Sequence, residues 1–409
     1  MLRPIFRRSG HNHIARPTSS LKSSLPSSTS SSPPPMFASS LASRAVAAKR
    51  FKGSSSFFQG ARSYFLSFGK ERNQEMLVDD INPFIRFPVV TPEQMRKISN
   101  DKFKFDFAYT SFAFHSSSSV PQIHSLSDLT DPTSLNSLLP KRRPQGSPAD
   151  TLSIKAGDDT MLVSPTVLAV ADGVSGWEDK SDADAGIWSR SMLETFSRLM
   201  TEYKISHSPH HLNKRDISEI LDDSFLHTSH LMDLQRLEGS STLILGMLSG
   251  DLLQMVSIGD SKLYIIRDGE IIKTNEEQMV TDLCPQQIGT HTLTQLPSEV
   301  AWVESIELKE NDLIVVCSDG ISDNLYEWEI VDYLDQFLNG KKDSLKRAVN
   351  KLLLKAKEVS FDDYACTPYN QKVNSMSGKH GKQNSVGGKL DDMSLCIARV
   401  VLNKRGKLN

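Results

Sequence analysis

The residues best suited to chemistry in this chain are aspartates at the ends of apolar runs. Asp172 follows Val167–Ala171 and precedes Gly173 in TVLAVADG. Asp260 closes a second run in SIGDS and Asp319 a third in LIVVCSDG, with Asp323 four residues further on in SDGISD. Asp158 and Asp159 (AGDD) stand just before the first core strand, and Asp391 and Asp392 (KLDDMS) just before the last. Any one Asp-Gly pair reads as an ordinary turn. Their ordered recurrence beside apolar runs does not. A buried carboxylate is costly unless cations or dense hydrogen bonds meet it, and no Lys or Arg is placed systematically beside these. Bound metal is the partner this pattern implies. Ligation by oxygen alone, without His or Cys, favours Mg²⁺ or Mn²⁺ over Zn²⁺. Two such ions about 3.5–4 Å apart lower the pKa of a shared water and align it with phosphorus.

The elements that must position these carboxylates are legible as periodicity. FKFDFAYTSFAF (Phe103–Phe114) alternates apolar and polar at its start, the pattern of a strand that opens the folded region. Val167–Ala171 reads as a strand buried on both faces. Helical spacing of apolar residues predicts helices over Asp184–Lys204 and Asp216–Leu237. STLILGML, LLQMVSIGD, KLYIIRDGEIIKT, VAWVESIEL and DLIVVCSDG then read as strands, with Asp268-Gly269 signalling a type I′ hairpin. Helices are predicted over Leu325–Leu338 and Asp343–Glu358, and MSLCIARVVL closes the fold as a strand. The segments 115–149 and 362–389 lack sustained period and read as loop insertions. The predicted class is α+β: an antiparallel β-sandwich flanked on both faces by α-helices, a four-layer αββα arrangement.

Composition narrows the function. The 409-residue chain carries a net charge of −2, without the basic excess of a nucleic-acid binder. Its four cysteines form no CxxC pair, which argues against a thiolate zinc site and against a disulfide framework. Cys317 and Cys396 sit in apolar runs and read as buried core thiols. Asp323 occupies the place that Arg would hold in a Cys-x5-Arg phosphate loop, so Cys317 is no phosphatase nucleophile. HSPHH (His207–His211) reads as a solvated loop, Trp188 as a packing residue, and Trp177 as a border of the site cleft. No run of eighteen apolar residues occurs, so no transmembrane segment is expected. Residues 1–70 contain eleven Lys or Arg and no Asp or Glu, and serine is dense from Ser19 to Ser56. This is the composition of an organellar transit peptide. The expected organisation is a leader over 1–70, a linker over 71–101, a catalytic domain over 102–402 and a basic tail over 403–409.

Taken in order, GDD, ADGVSGW, GSST, GDSKLYIIRDG, CSDGISD and DDMS resemble the metal-dependent protein phosphatases of the type 2C (PPM) family, across roughly Lys102–Leu402. ADGVSGW with the basic leader looks most like the mitochondrial branch. The resemblance implies a protein serine/threonine phosphatase acting by one-step attack of a metal-bridged water, without a phosphoenzyme. It implies that Asp172 bridges two ions (Mg²⁺ or Mn²⁺) with help from the Gly173 carbonyl. Asp158 serves the second ion, with Asp159 beside it, and Asp319 and Asp391 hold the first. Asp260, Asp319 and Asp323 match a weaker third site that some members show. Gly239–Thr242 is structural, and Asp392 stands where Asn is frequent.

Two positions depart from the family pattern. Val174 replaces the His that many members carry after the bridging Asp-Gly, and Val cannot transfer a proton. The phosphate-gripping Arg of many members falls near Ile154, and Lys155 beside it is expected to face the other way. The expected partners are phosphorylated proteins, mitochondrial metabolic enzymes in the matrix, and no nucleic acid. The alternative is a catalytically inactive module on the same fold, against which the complete set of carboxylates speaks.

Overall fold

Alternation along the strands builds two sheets face to face. The structure is a computed structural model and describes Gln94 and residues 101–403, apart from 115–140, 145, 149, 175–182, 208–210, 339–343 and 377–383. One antiparallel sheet has five strands, in the order β1 (Phe103–Phe112), β16 (Met393–Leu402), β15 (Leu313–Cys317), β9 (Lys262–Arg267) and β10 (Glu270–Thr274). The other has seven, in the order β14 (Trp302–Glu307), β8 (Leu252–Ile258), β7 (Leu243–Ser249), β5 (Val167–Ala171), β4 (Asp159–Val163), β3 (Leu152–Ala156) and β2 (Lys141–Arg142). Short pairs join β6 (Ser240–Ser241) to β13 (Ile288–Gly289) and β11 (Met279–Thr281) to β12 (Cys284–Pro285).

Three apolar layers separate four structural ones. Met161, Val163, Leu168 and Val170 from one sheet meet Ile314, Val316, Cys396 and Ala398 from the other in the central core. Behind the seven-stranded sheet, Leu162, Ala169 and Ala171 pack on helices α1 (Ala185–Ser206) and α2 (Lys214–Gln235). There Trp188 is fully buried and meets Phe225 edge-on with ring centroids 5.9 Å apart. Behind the five-stranded sheet, Tyr264, Val315, Cys317 and Leu395 pack on α5 (Glu327–Phe337) and α6 (Ser344–Ser360). The αββα reading therefore holds.

Local chemistry sets the ends of these elements. Asp184 caps α1 by accepting from the Ile187 amide at 2.7 Å, and Asn213 with Asp216 forms a capping box on α2. The hairpin residues Asp268 (φ 53°) and Gly269 (φ 81°) both lie in the left-handed region that a type I′ turn demands. The short helices α3 (Pro297–Val300) and α4 (Asp319–Ser322) fall outside the sequence expectation, because a single turn carries no apolar period. Two further expectations need correction. The stretch 362–389 is not wholly loop: Thr367 caps, and Pro368 opens, helix α7 (Pro368–Ser375). The stretch 115–149 contributes strand β2, whose Arg142 is drawn inward by ion pairing rather than by apolar alternation. The leader, Trp177 and residues 208–210 of the HSPHH stretch lie outside the described residues.

Beneath β2 lies a buried charge cluster. Arg142 donates to both carboxylate oxygens of Glu194 at 2.8 Å. Arg190 reaches Glu194 at 3.0 Å and the Ser153 hydroxyl at 3.2 Å. Burial would raise the Glu194 carboxyl, but the two arginines hold it below the usual carboxylate range.

Candidate metal centre

Strand alternation carries the carboxylates to one end of the sandwich. Along β5, Leu168 and Val170 face the central core, so Asp172, two residues on, points the same way. Along β4, Met161 and Val163 face that core, which puts Asp159 on the same side. The antiparallel register sets Ala171 opposite Thr160, and Cys317 opposite both Leu395 and Lys262. The ends leading to Asp159, Asp172, Asp260, Asp319 and Asp391 therefore gather at one rim.

The two adjacent aspartates separate in role. Asp159 is 1% exposed, and neither of its oxygens meets a hydrogen-bond partner. Burial raises its carboxyl well above the usual range and the charges of Asp392 and Asp391 add to this, while the nearby Ser318 and Ser394 hydroxyls temper it. Asp158 lies in the Gly157-Asp158 turn, half-buried, and its amide donates to the Asp392 carboxylate at 2.7 Å. Asp172 is likewise raised well above the usual range by burial, then by Asp159, Asp319, Asp391 and Asp260. Strand alternation turns Asp159, the first residue of β4, inward, while Asp158 stands in the turn before it.

The backbone around Asp172 is tightly held. The Thr242 amide donates to the Asp172 carbonyl at 2.9 Å and the Val174 amide to the Ser240 carbonyl at 3.0 Å. This is the structural use of Gly239–Thr242. Gly173 runs so close to Asp158 that a Cβ there would stand 2.5 Å from the Asp158 carbonyl oxygen and 2.7 Å from its Cβ. Gly173→Ala is expected to push these two segments apart and lower Mn²⁺ affinity at least ~10-fold while leaving the far end of the sandwich folded; unchanged affinity by calorimetry would contradict this. Asp392 accepts from the Phe114 amide at 2.7 Å as well as from Asp158, so it organises loops at the rim.

No Lys or Arg is placed systematically beside the aspartates in sequence, but the fold brings one to three of them. A cation does stand beside these carboxylates: the Lys389 ammonium contacts Asp319 and lies 2.8 Å from Asp323 and 3.0 Å from Asp391. Burial alone would raise the Asp319 carboxyl, but Lys389 holds it below the usual range. Burial and the Asp319 charge push Asp391 to about 6 and Asp260 to about 7, although Lys389 opposes both. The sequence carried the signal in GGKLDD, where Lys389 stands two residues before Asp391. The surrounding stretch has no period, so nothing local fixes the direction of that side chain.

The donor set fits hard divalent ions: all-oxygen, negatively charged, and with buried oxygens on Asp159 and Asp260 that lack any partner. Among the described residues, no three His, Cys, Asp or Glu side chains are already closed to metal-ligand spacing. The consequence for pH is directional. In metal-free protein the raised Asp260 carboxyl keeps its proton when folded at pH values where the unfolded chain has lost it. Its penalty is absent below about pH 4, grows through the window up to about 7, and is complete above that. In EDTA, the stability advantage of Asp260→Asn over the parent is therefore expected to grow from pH 5 to pH 8. A pH-independent difference in melting temperature would contradict it.

The expected phosphate anchor is not supplied from β3. Ile154 is buried in the central core, while Lys155 donates to the Gly157 carbonyl at 2.5 Å and lies against Gly186. His207 is exposed and stacks on Tyr203, away from the carboxylates. Cys317 is fully buried, which pushes its thiol up to about 12 and excludes it as a nucleophile.

A two-sheet αββα sandwich with carboxylates gathered at one rim is the architecture of the PPM phosphatases. Comparison with known proteins agrees. Residues 155–367 match the family model described as Protein phosphatase 2C. A probable protein phosphatase 2C of Oryza sativa is 28% identical over 69% of this chain and 85% of its own length. A human protein phosphatase PTC7 homolog is 26% identical over 60% of this chain and 79% of its own length. The solved structure of the photosystem II phosphatase PBCP is 27% identical, covers 59% of this chain and 91% of its own, and superposes with a TM-score of 0.50. The chain belongs to the protein phosphatase 2C family, the metal-dependent protein serine/threonine phosphatases.

Proposed function

We propose that this chain hydrolyses phosphoserine and phosphothreonine esters of mitochondrial proteins, with two Mg²⁺ or Mn²⁺ ions held at the rim by Asp159, Asp172, Asp319 and Asp391 and by the Gly173 carbonyl. Residues 102–402 form the catalytic domain. The observation that carries this reading is Asp159: a carboxylate buried to 1% exposure, without a hydrogen-bond partner and facing Asp172, calls for cations. When bound, such ions neutralise phosphate charge and activate a water for attack on phosphorus. The chain's own part is positional. Strand β5 holds Asp172 rigidly, the Thr242 and Ser240 backbone fixes the turn after it, and the N-terminus of α4 presents Asp319. The Val174 side chain carries no ionisable proton and its amide is taken by the Ser240 carbonyl, so the leaving alcohol is not protonated from position 174.

The purified chain is expected to release phosphate from a phosphothreonine peptide with Mn²⁺ and to stop in EDTA; Asp319→Ala should be inactive under both conditions. Metal-independent release, equal activity in the variant, or no release at all would reject the reading. The acid-free, Arg- and Ser-rich composition of residues 1–70 supports matrix import. A fluorescent reporter carrying those residues should enter mitochondria; a diffuse cytosolic or plastid signal would reject import.

A further inference from the structure

Lys389 contacts two of the three carboxylates that the family resemblance assigns to a weaker third ion, Asp319 and Asp323, and bridges them to Asp391. Its placement is built rather than incidental. The Lys389 amide donates to the Asn324 side chain at 2.9 Å, and Asn324 donates back to the Lys389 carbonyl at 2.8 Å. Asn324 is 1% exposed and also donates to the Gly320 carbonyl at 2.9 Å, within α4, the turn that presents Asp319. Upstream, the Gly387 and Gly388 amides donate to the carbonyls of Ala365 and Asp362. Gly388 lies against the end of α6 so closely that any Cβ would collide with the Val359 carbonyl and the Ser360 backbone. The Tyr369 amide donates to the Asp323 carbonyl at 3.1 Å, and its ring lies 5.7 Å from the Lys389 ammonium. The insertion over 362–389 thus ends by delivering one side chain into the carboxylate rim.

We propose that Lys389 supplies the cation of the third site in covalent form, so that this phosphatase binds two divalent ions and excludes a third. An ammonium has three donors and no acceptor. Seated on Asp319 and Asp323 it occupies the oxygens a third ion would need, and it repels a second cation at the same place. Asp159 and Asp172 are not among its contacts, and it meets Asp319 and Asp391 through one oxygen each, Oδ2, so that their Oδ1 atoms remain for the two ions. The inference rests on the metal-centre reading above.

Native mass spectrometry and calorimetry with Mn²⁺ on the full chain separate the possibilities. The parent protein and Lys389→Arg, which keeps a cation, should each hold two ions. Lys389→Met should take up a third, and Lys389→Met/Asp323→Asn should return to two. Because loss of Lys389 leaves unneutralised carboxylates, Lys389→Met should melt lower than the parent in EDTA and recover in Mn²⁺. A parent that binds three ions, or a Lys389→Met protein that is folded in Mn²⁺ and holds only two, would overturn the proposal. A parent that binds none would reject the metal centre itself, which is a distinguishable result.

Discussion

Asp172→Asn is expected to reduce Mn²⁺-dependent hydrolysis of a phosphothreonine peptide by roughly 10³-fold or more, about 4 kcal/mol of transition-state stabilisation. The substitution keeps the size and shape of the side chain but removes its charge and exchanges one acceptor oxygen for an NH2 donor. Asp172 is the carboxylate on which Asp159, Asp319, Asp391 and Asp260 all act, so it is central to any shared cation. A loss of folding is not the expected cause. Asn relieves like-charge repulsion in metal-free protein, and the variant should melt at or above the parent in EDTA. The pairing of lost activity with unimpaired stability is the signature of a ligand rather than a core residue. Retention of more than a tenth of the parent rate would place the centre elsewhere.

The second large effect concerns stability. Glu194→Ala should cost about 3–5 kcal/mol in urea unfolding, because it removes the buried carboxylate that Arg142 and Arg190 share. Their side chains are 4% and 2% exposed, so water cannot replace the carboxylate without opening the joint between β2, β3 and α1. Most surface ion pairs contribute about 0–1 kcal/mol; a loss in that range would show that the cluster is solvated and the burial misleading. Activity should survive in the folded fraction, since Glu194 makes no contact with the rim carboxylates described above.

The fold was largely legible because its elements are long and periodic. Val167–Ala171 is a strand with the expected bounds, and helices α1 and α2 begin within two residues of expectation. What escaped lacks period. Helix α7 is polar, with only Asn370 and Val373 buried, so its signal is the Thr367-Pro368 start rather than an apolar stripe. The two-residue strand β2 is set by the pairing of Arg142 with Glu194, a contact across 52 positions that no local pattern encodes.

The site was legible at the level of residue type and less so at the level of orientation. Aspartates after apolar runs announced a cationic partner, since burial of so many carboxylates has few other solutions. Choosing between Asp158 and Asp159 required the first residue of β4, because a shift of one position along a strand turns a side chain to the other face. Lys389 was hidden differently. Its role depends on Asn324 pinning a distant loop to α4, and the sequence shows only a lysine in a Gly- and Lys-rich stretch. No spacing along the chain therefore marks Lys389 as the cation that meets Asp319, Asp323 and Asp391.

The most direct measurement is anomalous diffraction at the manganese edge from crystals of the full chain grown with Mn²⁺. The account predicts two anomalous peaks among Asp159, Asp172, Asp319 and Asp391, with Asp172 touching both. No peak at this rim under saturating Mn²⁺, or peaks liganded by Asp158 with Asp159 turned away, would contradict it.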